Sequence, residues 1–147
     1  MLTAATMRAL LLVDDDDALP LLLQHAIKQS GLEIDLHSVG DGEEAVLYLD
    51  RKGEYEDEGK HPFPSLILLD LKMPRMNGFE LLEWKRLQPQ LEKVPVVAWS
   101  SSCLDADKAR ALQLGASSYF VKPMDTREFR TLLKSLDAYC QTSVVPS

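Results

Sequence analysis

The sequence predicts an α/β fold of the doubly wound kind, with a mainly parallel sheet covered by helices on both faces. Three observations predict it. Short, continuous apolar runs recur at strand length, which is how strands buried on both faces read. Amphipathic stretches with apolar residues three and four apart separate them, giving the order (βα)₅ with right-handed crossovers. The strongest runs end on Asp, Ser or Lys, so polar chemistry gathers along one edge, where ligands of such sheets bind.

"RALLLV" (8–13) is the first strand. "ALPLLLQHAIKQSG" follows as a helix with Leu19, Leu22, Leu23, Ala26 and Ile27 on one face, Pro20 in its first turn and Gly31 closing it. "EIDLHSV" (33–39) alternates imperfectly and reads as an edge strand. "GDGEEAVLYLDRKG" is a helix with Asp41 near its start and acidic residues in its first turn, where the helix dipole favours them. Residues 52–64, "KGEYEDEGKHPFP", are polar, hold two Gly and two Pro, and show no period. They read as an extended loop, an excursion or an interaction surface.

"SLILLD" (65–70) is the next strand, "LKMPRMNG" a Pro and Gly loop, and "FELLEWKRLQ" a helix with Phe79, Leu82 and Leu87 on one side. "VPVVAWSSS" (94–102) is a further buried strand, and "LDADKARALQLG" a helix with Ser102 or Asp105 as cap and Gly115 at its end. "SSYFVKP" is the last strand. "DTREFRTLLKSLDAYC" is the last helix, capped by Asp125 or Thr126, with Phe129, Leu132, Leu133 and Leu136 facing inward.

At 147 residues and 46% hydrophobic content the chain is long enough for one core that needs no staples. A net charge of -7 argues against binding nucleic acid, whose recognition calls for basic patches. No run approaches the roughly 18 apolar residues of a membrane helix, and the N-terminus has no signal-peptide pattern. Cys103 and Cys140 have no zinc or disulfide spacing and suit a reducing cytoplasm.

If the sheet is parallel, Asp14 and Asp15 after the first strand, Asp70 after the third, Ser100 after the fourth and Lys122 after the fifth converge on one edge. Crowded carboxylates call for a hard cation such as Mg²⁺, which takes oxygen ligands and tolerates phosphate oxygens beside it. A strand-end carboxylate can attack phosphorus, and a lysine and a hydroxyl can hold the oxygens of the group transferred.

"LLVDDD", "LILLDLKMPRMNG", "VVAWSSS" and "GASSYFVKP" together resemble the receiver domain of two-component response regulators, from about Met7 to Leu136. Ser100 lies 30 residues after Asp70 and Lys122 lies 22 after Ser100, spacings this family keeps. The resemblance implies a flavodoxin-like three-layer sandwich with strand order 2-1-3-4-5. It implies a single receiver domain over residues 1–147, core about 7–139, with no output domain. Asp70 would be the phosphoacceptor; Asp14, Asp15, Asp70 and the main-chain carbonyl of Lys72 would hold Mg²⁺ or Mn²⁺. Ser100 would be the switch hydroxyl, Lys122 the ion-pair partner and Tyr119 the aromatic switch, and Pro123 would follow a cis bond. Lys72 and Ser102 flank the site where they could tune dephosphorylation. The implied role is a cytoplasmic signalling protein, not an enzyme in its own right, though it assists its own phosphorylation and dephosphorylation. Its partners would be a sensor histidine kinase and a downstream protein, or a second copy met through the fourth helix, fifth strand and fifth helix. The insertion at 52–64 resembles that of stand-alone receivers paired with phytochrome-type kinases. Trp99 departs from the small or aliphatic residue expected there, and fits a packing niche or a partner.

Two other readings compete. A Mg²⁺-dependent phosphohydrolase using Asp70 would want an acid two residues on, where Lys72 stands instead. A receiver fold serving only as an adaptor would not need the acceptor, metal and lysine set. Asp16 and Asp17 read as first-turn carboxylates of the following helix, Ser101 as a rival to Ser100 should the register slip by one, and Trp84 as partly exposed. His25, His37 and His61 are scattered, and no histidine site is expected from them.

Overall fold

The computed structural model describes residues 8–101, 104–123 and 125–143. Ser102 and Cys103 lie outside the described residues, as does the side chain of Cys140. The elements run β1 (Arg8–Val13), α1 (Leu19–Ser30), β2 (Ile34–Val39), α2 (Gly42–Leu49), β3 (Leu66–Asp70), α3 (Gly78–Arg86), β4 (Val96–Ser100), α4 (Asp105–Gln113), β5 (Ser118–Val121) and α5 (Thr126–Ser143). The five strands form one sheet, β2-β1-β3-β4-β5, parallel at every pairing. This is the predicted fold and strand order.

Alternation along the strands divides the core. Leu11, Val13, Ile67, Leu69, Val96 and Ala98 face α2, α3 and α4; Leu10, Leu12, Leu66, Leu68, Val97 and Trp99 face α1 and α5. Each buried aliphatic side chain contributes about 1.5–3 kcal/mol, so the two sheets of side chains anchor the strand ends that carry the site.

Several helix faces differ from expectation. Leu22 is 55% exposed and Leu87 78% exposed, while Leu81, which the sequence reading left out, is buried. Leu22 stands beside the fully buried Leu23 and faces outward, and Leu87 is the C-cap beyond the last residue of α3. Asp16 and Asp17 are not in the first turn of α1, which holds no acidic residue. They belong to the preceding turn, in which the Ala18 N–H donates to Asp16 Oδ1. The α4 N-cap is Leu104, with no side-chain cap, rather than Asp105. Asp41 and Asp125 do cap, accepting from the Glu44 and Glu128 N–H groups.

The 52–64 segment is not bare loop. Gly53–Glu56 forms a 3₁₀ turn that turns Tyr55 inward against Tyr48 on α2. The Tyr55 hydroxyl donates to Glu44 Oε2 (2.7 Å) and that of Tyr48 to the Pro62 carbonyl (2.8 Å). His61 packs edge-on against both rings. Burial pushes the Tyr48 hydroxyl up to about 12, against a smaller lowering by the Arg51 charge. No helix among the described residues is long and apolar enough to cross a membrane.

Candidate functional site

Asp14 follows the last residue of β1 and Asp70 ends β3. These strands are neighbours at the place where the chain reverses its winding direction, so the topology puts their ends side by side. Oxygens of Asp14, Asp15 and Asp70 lie within 4.8 Å of one another. Asp14 and Asp70 are buried and Asp15 is exposed. Two inner carboxylates and one open to solvent fit a hard cation with part of its shell left to water.

Lys122 comes in from the chain after β5. Its ammonium lies 3.2 Å from Asp70 Oδ2, a hydrogen bond, and 3.0 Å from Asp14 Oδ2, an ion pair without hydrogen-bond alignment. The Lys72 N–H donates to Asp70 Oδ1 (3.0 Å), and the Asp16 N–H to Asp14 Oδ1 (2.9 Å). Burial raises the Asp70 carboxyl, and the charge of Asp14 adds to this, against the lowering by the Lys72 N–H and Lys122. Burial alone would lower the Lys122 ammonium, but the Asp14 and Asp70 carboxylates outweigh it, and the net shift is upward. The site therefore holds more negative charge than one lysine neutralises, which is the electrostatic condition for a divalent cation.

Ser100 is buried at the end of β4, and its carbonyl accepts from the Lys122 N–H. Ser101 is exposed and outside the strand. Tyr119, on β5, packs half-buried against the α2, α3 and α4 side of the core. Trp99 is fully buried in the α1 and α5 side of the core. Trp84 packs half-buried against the opposite cluster. No peptide bond among the described residues is cis, so the expected cis bond before Pro123 is not found; trans is favoured by about 0.5–1 kcal/mol even before proline.

The loop carrying Lys72 is held at both ends. A Cβ on Gly78 would stand 2.5 Å from the Asp70 carbonyl oxygen, so only glycine lets α3 start so close to the acceptor strand. A Cβ on Gly42 would collide with the Met76 carbonyl, to which the Gly42 N–H donates. Arg75, with φ 59°, pairs with the buried Asp41 and lies 3.6 Å from Glu43. Burial would raise the Asp41 carboxyl, but the Glu44 N–H and the Arg75 guanidinium together carry it below its usual value. Opposite this, Lys72 Nζ lies 3.4 Å from Asp107 on α4 and spans a cleft that Asp15 and Asn77 also line. Nothing in the local pattern signalled the Asp41–Arg75 and Lys72–Asp107 pairs, because their partners lie over 30 residues apart.

The response regulator receiver domain model matches residues 10–134. The chain belongs to this family. The receiver is 30% identical to the response regulator Rcp1 of Synechocystis, over 95% of this chain and 94% of that one. It is also similar to the solved structure of the phosphorylated cyanobacterial phytochrome response regulator RcpA, at 30% identity and TM-score 0.83, covering 97% and 100% of the two chains. A structure of the Mn²⁺-bound form of Rcp1 matches at 30% identity and TM-score 0.80, over 95% and 99%. Such relatives are matched over nearly their whole length, and the receiver's fold and acidic edge are those of a signalling phosphoacceptor family.

Proposed function

We propose that this receiver accepts a phosphoryl group from a histidine kinase on Asp70 and signals by protein contact. The observation that carries the reading is the Asp70 carboxylate itself: it is buried at a strand end, fixed by Lys122 and the Lys72 N–H, and within reach of Asp14 and Asp15. One Asp70 oxygen attacks phosphorus as the bond to the donor nitrogen breaks, and the departing imidazole keeps the electron pair and takes up a proton. Asp14, Asp15, Asp70 and the Lys72 carbonyl would hold Mg²⁺ or Mn²⁺, a reading that the Mn²⁺-bound relative supports. When bound, that cation offsets negative charge between acceptor and phosphoryl oxygens. Lys122 then moves its hydrogen bond from Asp70 to the phosphoryl group, Ser100 binds another oxygen, and Tyr119 repacks.

The likeness to RcpA and Rcp1 supports a phytochrome-type kinase as donor. Leu104, Leu112 and Val121 are exposed on α4 and β5 and support this face, with α5, as the place where a downstream protein or second copy docks. The kinase's need for ATP sets the site of action in the cytoplasm. Neither the hydrolase nor the adaptor is favoured: Lys72 occupies the acid's position, and the acceptor set is complete.

Incubation with acetyl phosphate and Mg²⁺ tests the reading. One phosphoryl group per chain, lost in Asp70→Asn, is expected; full labelling of Asp70→Asn overturns the acceptor assignment, and many turnovers on simple esters would favour the hydrolase.

A further inference from the structure

Trp99 is fully buried in the α1 and α5 side of the core, and its backbone is the register partner of Asp70. Strand alternation sends both side chains to the same sheet face, Asp70 with Leu68 and Trp99 with Val97. The Lys122 ammonium lies over the indole, 5.5 Å from the ring centroid, inside the range in which a cation is attracted to an aromatic face. The indole Nε1 has no hydrogen-bond partner among the described residues, although it is buried. A core filler without a polar atom would avoid that cost, so the position is poorly explained by packing alone.

We propose that Trp99 is a positioning residue of the phosphotransfer site: its ring face is the third support, after Asp14 and Asp70, that holds the Lys122 ammonium where the incoming phosphoryl group will need it. The two carboxylates draw Lys122 sideways, each by one oxygen, and leave the side facing the sheet to be closed by a neighbour that carries no charge. The indole closes it with a π face that attracts the cation yet forms no directional bond. Lys122 is thereby kept at the acceptor, and when its hydrogen bond passes from Asp70 to phosphoryl oxygens the ring contact adds no further hydrogen bond to break. This rests on Asp70 being the acceptor.

The test compares Trp99→Leu, Trp99→Phe and a control cavity, Leu66→Ala, on the same core side but at the far end of β3. Phosphorylation by acetyl phosphate with Mg²⁺ should be about tenfold slower in Trp99→Leu and within about threefold of wild type in Trp99→Phe, which keeps a ring face. Leu66→Ala should melt at a lower temperature yet label at the wild-type rate. Equal slowing of the Leu and Phe variants, or matching slowing in Leu66→Ala, overturns the proposal and leaves the acceptor assignment standing. Wild-type protein that takes no label overturns that assignment and this proposal with it. Should Trp99→Leu not fold, the two indole N–H resonances decide: Lys122→Met should shift that of Trp99 and not that of Trp84, and an unmoved Trp99 signal overturns the proposal.

Discussion

The acidic edge and the 52–64 segment are built on opposite principles. At the edge, Asp14 and Asp70 are buried beside one another with a single lysine between them, and burial works against the charge on Asp70. Along 52–64, Tyr48, Tyr55 and His61 pack ring against ring and satisfy their hydroxyls on Pro62 and Glu44. The first region holds electrostatic strain that a cation relieves; the second simply stabilises α2 and the edge of the sheet. The comparison teaches that the more buried polar group is not the more stabilising one, since its partners decide.

Four measurements would break or sharpen this contrast. Asp70→Asn should lower phosphoryl acceptance by roughly a hundredfold or more while leaving the metal-free melting temperature at or above wild type, because a crowded charge is removed. A large loss of metal-free stability would show that the edge is not strained. Tyr55→Ala should do the reverse, costing about 3 kcal/mol of stability in denaturant titration with little change in labelling rate per folded molecule. A labelling rate that fell with it would tie the segment to the site.

Adding Mg²⁺ at a hundred times its dissociation constant should stabilise wild type by about 2.7 kcal/mol, seen as a higher melting temperature, and Asp70→Asn far less. Equal stabilisation of both would place the cation elsewhere. The smallest effect is at Asp41, whose carboxyl is held below its ordinary 3.8 in the fold. A lowered folded value contributes stability that is complete above the unfolded value and lost as pH falls through the folded one. Asp41→Asn keeps a helix-capping oxygen but not the charge. It should be less stable than wild type at pH 7, with the gap closing as pH falls below about 4, as followed by thermal melts across pH.

Much of the site was legible because strand-end chemistry is local. An apolar run followed by Asp14 and Asp15, another ending in Asp70, and one followed by Lys122 announce themselves without any knowledge of contacts. The face of α1 was legible in Leu23 and Ile27 but not in Leu22, since adjacent leucines both fit a broad apolar stripe and only packing decides which of them turns inward. Residues 52–64 misled because polar composition hid the inward Tyr55. His37 and His61, which look scattered in sequence, both pack their rings against Tyr48.

The sequence by itself determined the number of strands and their alternation with helices, which carboxylates stand at their ends, and the excess of negative charge that makes a cation necessary. These follow from residue type and short-range period. Only the tertiary structure decided that Trp99 lies beneath Lys122, that Arg75 reaches Asp41 and that Lys72 spans to Asp107. Those pairings arise where crossovers bring distant segments to one edge, and their geometry depends on how the helices pack against the sheet.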